Sequence, residues 1–250
     1  MISLLAVKLG SVVPLAQSEL GQDFFRDRSN PDCVQRNGAF CFDWAADNLV
    51  DRYLTPTLQH LVLVSVSVAL GFVIALGLAI VSHRRRWLVP PITGLTGVLY
   101  TVPSIAFFLL LIPITGRGTD TAIIALTAYT LQIIYRNTVA GLANVPAEAR
   151  DSGRGMGMTP RQLLWGVELP LAVPEIIAGL RIATVSTVAI ATLAVFAGAG
   201  GLGAEIYANL TFKTGILICG GIAIGMAIGF DALLVGAQRL ISPWRRVRPV

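Results

Sequence analysis

Residues 58–81 contain no Asp, Glu, Lys or Arg. A helix needs roughly 20 predominantly apolar residues to cross the hydrocarbon core of a bilayer. This one run therefore reads as a transmembrane helix, and with the runs that follow it points to an all-α membrane protein. Four further apolar runs, at 88–115, 121–135, 176–198 and 215–237, predict five core transmembrane helices in all. Composition agrees: 54% of the 250 residues are hydrophobic and 13% charged, against about 25% charged in soluble domains.

The runs are not alike. The second contains Pro90, Pro91, Pro103 and Pro113, which kink or break a helix. In lipid such breaks persist only where neighbouring helices or water satisfy the freed carbonyls, so this segment is expected inside the protein. The third is the shortest. The fourth carries Arg181 near its start, and the fifth is interrupted by Asp231.

Basic residues set the orientation. The stretches 83–86, 136–181 and 239–250 together hold twelve Lys or Arg, and 17–57, 116–120 and 199–214 hold six. The first group is therefore expected in the cytoplasm. Residues 17–57 become an extracytoplasmic polar tail, 58–242 the membrane domain and 243–250 a basic cytoplasmic tail. For the apolar residues 1–16, interrupted by Lys8, three forms remain open: a sixth short signal-anchor helix, an interfacial helix, or a cleaved signal peptide. Cys33 and Cys41 lie in the outer tail and are able to pair in an oxidising compartment; unpaired thiols are the alternative. The net charge of +5 does not gather into one patch, so nucleic acid is not an expected partner.

Catalytic and metal-binding constellations are missing. His60 and His83 stand apart at the ends of the first run, with His60 expected at the interface. No phosphate-binding P-loop occurs, so the chain is not expected to hydrolyse ATP or to bind a cofactor. Gly198 to Gly203 reads GAGGLG, a match to the dinucleotide pattern. That loop works only after a strand and before a helix, and here an apolar span precedes it. Close backbone approach or re-entry explains these glycines better. Asp231, as an intramembrane acid, is a functional candidate; a carboxylate hydrogen-bonded to a neighbouring helix is the plainer reading. Glu175 and Arg181 are expected near the inner interface without a special role.

The segment 144–170 is the chain's one polar stretch between greasy runs. Thr159 is placed to cap a helix that begins at Pro160, whose missing N–H costs nothing there. Gly153, Gly155 and Gly157 weaken any long helix. The expected shape is a helix over 145–154, a glycine break, and a second helix over 160–168 stopped by Leu169-Pro170. Met156, Met158, Leu163, Leu164 and Trp165 need a surface to bury against, in the membrane domain or on a partner.

The run Asp151-Ser152-Gly153, then Gly157, then Leu169-Pro170 resembles the cytoplasmic coupling loop of bacterial ABC importer permeases, whose pattern is Glu-Ala-Ala, three residues, Gly and a downstream Leu-Pro. Asp, Ser and Gly replace Glu, Ala and Ala. The stretches VPSIAFFLLLIPITG, YRNTVAGL, GMGMTPRQLLWGVELPLAVPEIIAGLRIATV and AGAGGLGAEIY are similar to the osmoprotectant subfamily, which imports glycine betaine, choline and carnitine. The resemblance implies the type I importer permease fold and a bacterial inner-membrane location. It also implies a second permease subunit, identical or paralogous, and ATPase subunits that use ATP and Mg. An extracytoplasmic substrate-binding protein and membrane lipid complete the expected partners. The loop residues Asp151, Ser152, Gly153, Gly157, Thr159, Pro160, Leu163, Leu164, Trp165, Leu169 and Pro170 are its expected contact with the ATPase. Asp151 is expected to make a polar contact or cap, and Leu163, Leu164 and Trp165 to transmit force by packing. Quaternary amines are held by aromatic faces, so Tyr100, Phe107, Phe108, Tyr129, Tyr135 and Phe196, with Asp231, are candidates for a substrate path. The same machine carrying methionine or an alkylsulfonate is the second reading. A membrane protein that recruits a partner without transport is the third.

Overall fold

The computed structural model describes residues 31–242; the open question about residues 1–16 lies outside them. Among the described residues the regular elements are all helical. We number them α1 Pro31–Arg36, α2 Phe42–Arg84, α3 Val89–Thr101, α4 Ser104–Thr115, α5 Thr119–Ala143 and α6 Ala147–Gly155. The long α7, Pro160–Ala197, contains a π turn at Leu164–Glu168 and ends in a 3-10 stretch. α8 Leu202–Ala208 and α9 Lys213–Ile241 follow.

By length and composition α2, α7 and α9 suffice to cross a membrane. The second apolar run is broken in its middle: α3 and α4 meet at a bend of 100°. Pro103 is the cause. It drives Val102 into extended backbone (φ −64°, ψ 129°), which an α-helix cannot continue. The Tyr129 hydroxyl donates to the stranded Val102 carbonyl at 2.5 Å. α5 runs 25 residues, well beyond the expected 121–135, yet is the least apolar of the long helices. Much of it is buried, and Thr130 and Thr138 return their hydroxyls to their own helix at 2.7 and 2.8 Å. A helix surrounded by protein need not be apolar all round.

The chain divides into two compact units, each assembled from three stretches. In the first (31–66, 103–126 and 188–226 of the described residues) a disulfide joins Cys33 and Cys41. Trp44, Tyr53, Leu202, Phe212 and Ile218 form its core, with Trp44 edge-on to Phe212 at 4.8 Å. Arg52 and Glu205 pair at 3.2 Å, both nearly buried. His60 is fully buried, its Nε2 3.1 Å from the Val188 carbonyl.

The glycine loop sits here too, preceded by a helix rather than a strand. Gly201, in left-handed backbone (φ 97°), donates its N–H to Gln59 Oε1 at 2.9 Å. A Cβ on Gly203 would lie 1.8 Å from the Thr192 carbonyl oxygen, inside the 3-10 end of α7. Neither backbone can retreat without loss of the contact. Gly203→Val is therefore expected to destabilise the protein by roughly 2–3 kcal/mol, as overpacking does, read as an early melting transition in detergent.

In the second unit (67–102, 127–187 and 227–242) α5 crosses α7 at small residues. Cβ atoms on Gly141 and Gly179 would fall 2.9 Å from Glu175 Cβ and 2.4 Å from Asn137 Cβ. Such contacts replace the hydrophobic drive that lipid removes.

Candidate functional site

The polar segment folds as a stapled helix–turn–helix. Pro146 opens α6, and Glu148 in its first turn complements the helix dipole. At the other end Gly157 adopts φ +79°. Its N–H donates to the Arg154 carbonyl at 2.9 Å, and that of Met158 to the Gly153 carbonyl at 3.1 Å. These two bonds satisfy the carbonyls that a helix end leaves open. Gly153 is buried where α6 meets α7, and a Cβ there would stand 2.6 Å from Leu163 Cδ1. α7 begins with a capping box: Thr159 Oγ1 accepts from Gln162 N at 3.4 Å, and Thr159 N donates to Gln162 Oε1 at 2.8 Å.

Leu169-Pro170 does not stop this helix; α7 continues through it. Pro170 supplies no N–H, and its ring crowds the carbonyl four residues back. The π turn just before it takes up the misfit, with the Leu169 N–H bonded to the Leu164 carbonyl five residues earlier.

Glu168, on that turn, anchors the segment. Its side chain is 8% exposed, with Oε1 3.1 Å from Arg150 Nε and Oε2 2.9 Å from His83 Nε2. Arg150 Nη2 also donates to the Leu142 carbonyl at 2.7 Å, closing the end of α5. One carboxylate thus ties α2, α6 and α7 together, and Arg150 adds α5. No sequence signal marked this cluster, since its members lie 85 and 18 positions apart.

The expected coupling residues divide by exposure. Leu163 and Leu164 are buried, and Leu164 packs with Leu142, Val145, Leu169, Ala172 and Ile176. Trp165 faces outward, 63% exposed, as does Met156 at 70%, so the membrane domain is not the surface that covers either. Asp151 caps no helix end; it pairs with Arg154 at 3.2 Å on the exposed face of α6. Ser152 and Pro160 are exposed as well. Beside them a cleft of about 720 Å³ is lined by Arg84, Arg154 and Arg161, with Thr159 and Glu168. The result is a knob with a rigid base, an apolar tip and a cationic flank.

The substrate-path candidates are distributed over both units. Phe107, Phe108 and Phe196 belong to the first unit, and Tyr100, Tyr129, Tyr135 and Asp231 to the second. Phe107, Phe108 and Tyr135 are buried, and Tyr135 donates to Ser82 Oγ at 3.1 Å. Phe196 stands edge-on to Tyr207. Tyr100 is half-exposed and edge-on to Tyr129, ring centres 6.0 Å apart. Asp231 accepts two hydrogen bonds from Arg181, at 2.7 and 2.9 Å, so Arg181 has a defined partner after all.

Apolar helices of spanning length, joined by a buttressed polar segment, define an integral membrane protein. The family described as "binding-protein-dependent transport system inner membrane component" matches residues 67–247, and the chain belongs to it. The choline transport system permease protein OpuBB of Bacillus subtilis is 37% identical over 192 residues, 76% of this chain and 88% of that one. The osmoprotectant import permease protein OsmW of Salmonella typhimurium is 38% identical over 194 residues, 75% and 90% of the two chains. The fold is that of a chain in inward-facing crystals of the MetNI methionine ABC transporter, with TM-score 0.65 and 23% identity, covering 78% of this chain and 96% of that one.

Proposed function

We propose that the chain is the membrane subunit of an ATP-driven importer of choline, glycine betaine or related quaternary amines. The observation that carries the mechanism is the buttressed knob. Its base is fixed by Glu168, Arg150 and His83, so a force on the exposed tip moves α2, α6 and α7 together instead of bending a loop. With the basic stretches inside, the tip meets an ATPase subunit, and closure of the ATPase pair turns the helices from inward- to outward-facing. The named solutes of the two permease relatives support the substrate class. Selection falls mainly to the extracytoplasmic binding protein. Vesicles holding the chain with its ATPase and binding protein should take up labelled choline or glycine betaine only with ATP. Uptake of methionine instead would move the chain to the second reading, and no ATP-dependent uptake of any solute would remove transport.

Within the membrane we assign the solute contact to the Tyr100–Tyr129 pair. A cation over an aromatic face gains about 0.5–2 kcal/mol, so Tyr100→Ala is expected to slow choline uptake roughly fivefold, with Tyr100→Phe near the parent rate. Equal rates for all three would take Tyr100 off the path.

A further inference from the structure

A cavity of about 550 Å³ lies in the second unit, where the last turns of α2 and α5 meet the start of α3. It is distinct from the cleft beside the knob, with which it shares only His83 among its lining residues. Its walls are of two kinds. Arg86, Arg150 and His83 are basic, while Val89, Val139 and Leu142 give it an apolar side. No Asp or Glu among the described residues lines it.

The positive charge there is not fully matched by the protein. Both oxygens of Glu168 are taken, by Arg150 at 3.1 Å and His83 at 2.9 Å. Arg86 forms no ion pair among the described residues. A small soluble anion would leave the apolar side against water, and a quaternary amine would meet two guanidinium groups. An anionic amphiphile satisfies both walls.

The level of the cavity suits such a molecule. With 83–86 on the cytoplasmic side, it lies at the inner end of the charge-free run 58–81. Trp87, next to Arg86, is 69% exposed, and tryptophans collect at the headgroup level of a bilayer.

We propose that this cavity binds the phosphodiester headgroup of an anionic phospholipid of the inner leaflet. The phosphate sits on the Arg86 and Arg150 guanidinium groups, which suit it because a guanidinium offers parallel donors to phosphate oxygens. Basic pockets between transmembrane helices on the cytoplasmic side are suited to such headgroups. The start of an acyl chain lies along Val89, Val139 and Leu142. Arg150 and His83 also hold Glu168, so the bound lipid braces the base of the knob.

The test uses the full-length protein purified in detergent, with binding read by native mass spectrometry, and stands whatever solute the chain carries. The probes are phosphatidylglycerol, phosphatidylcholine and glycerol phosphate. Phosphatidylglycerol should be retained and should raise the unfolding temperature. Arg86→Ala should weaken its binding about fivefold, the worth of one basic residue at an anionic lipid surface, and Arg86→Lys should restore most of it. Arg85→Ala removes the same charge from an exposed neighbour outside the lining and should bind as the parent does. Ala143→Phe, at an exposed lining position, should weaken binding by filling the apolar side. Parent affinity in Arg86→Ala overturns the proposal, and so does an equal loss in Arg85→Ala, which would mean attraction by net charge alone. Phosphatidylcholine held as well as phosphatidylglycerol overturns the selection for an anionic headgroup. Glycerol phosphate bound as tightly as the lipid would make this a site for soluble phosphate and overturn the lipid assignment.

Discussion

Gly157→Asp is expected to abolish ATP-driven uptake while the protein reaches the membrane in normal amount. The backbone at Gly157 is left-handed, φ +79°, a conformation that glycine adopts freely and Asp or Asn tolerates better than other residues. A Cβ there meets nothing within 4 Å. The fold's own loss is thus about 1–2 kcal/mol from backbone strain alone, too little to prevent insertion. The new carboxylate lies instead in the open space at the tip of the knob, where the proposed ATPase groove closes. A tight apolar contact loses far more from an unpaired charge than from a strained turn. Uptake in vesicles, normalised to permease content of the membrane fraction, measures the effect, and Gly157→Ala should be intermediate. Parent uptake by Gly157→Asp would remove this turn from the coupling contact.

Glu168→Ala is expected to do the reverse damage, first to stability and then to coupling. It leaves the largely buried guanidinium of Arg150 with only backbone carbonyls, and separates His83 from α7. Removing one member of a buried ion pair costs about 3–5 kcal/mol. Arg150 and His83 keep some access to water, so roughly 2–3 kcal/mol is the expected loss. Glu168→Gln keeps hydrogen-bonding oxygen and should lose less. Thermal unfolding of the purified protein in detergent reads the first effect. The second is ATP hydrolysis that continues without uptake, because a knob cut from α2 no longer moves it. An unchanged melting temperature in Glu168→Ala would mean that the cluster carries no load.

The difference between these two residues is also a difference in legibility. Gly157, Thr159 and Pro160 are visible in sequence because a turn, a cap and a first helical position depend on neighbours within four residues. Glu168 is not, because its importance comes from His83 and Arg150, brought to it by three helices. The same holds for Arg181, which reads as an ordinary interfacial charge until Asp231 on α9 is found opposite it. His60 reads as interfacial because it lies near the end of an apolar run, and is buried because the Val188 carbonyl of α7 and Gly201 of the glycine loop pack against it.

The long charge-free runs by themselves determine a helical membrane protein, since no other backbone arrangement of such segments satisfies its hydrogen bonds in lipid. The local signals at 157–160 likewise determine where one helix turns and the next begins. Tertiary structure alone decides that Pro103 bends the chain by 100° while Pro170 is carried through. Both prolines remove the same N–H. At Pro103 the stranded Val102 carbonyl finds the Tyr129 hydroxyl from another helix, whereas before Pro170 a π turn anchored by Glu168 re-pairs the backbone within α7. Whether a proline ends a helix therefore depends on how the backbone beside it is paired, by a hydroxyl from another helix at Val102 and by the π turn within α7 before Pro170.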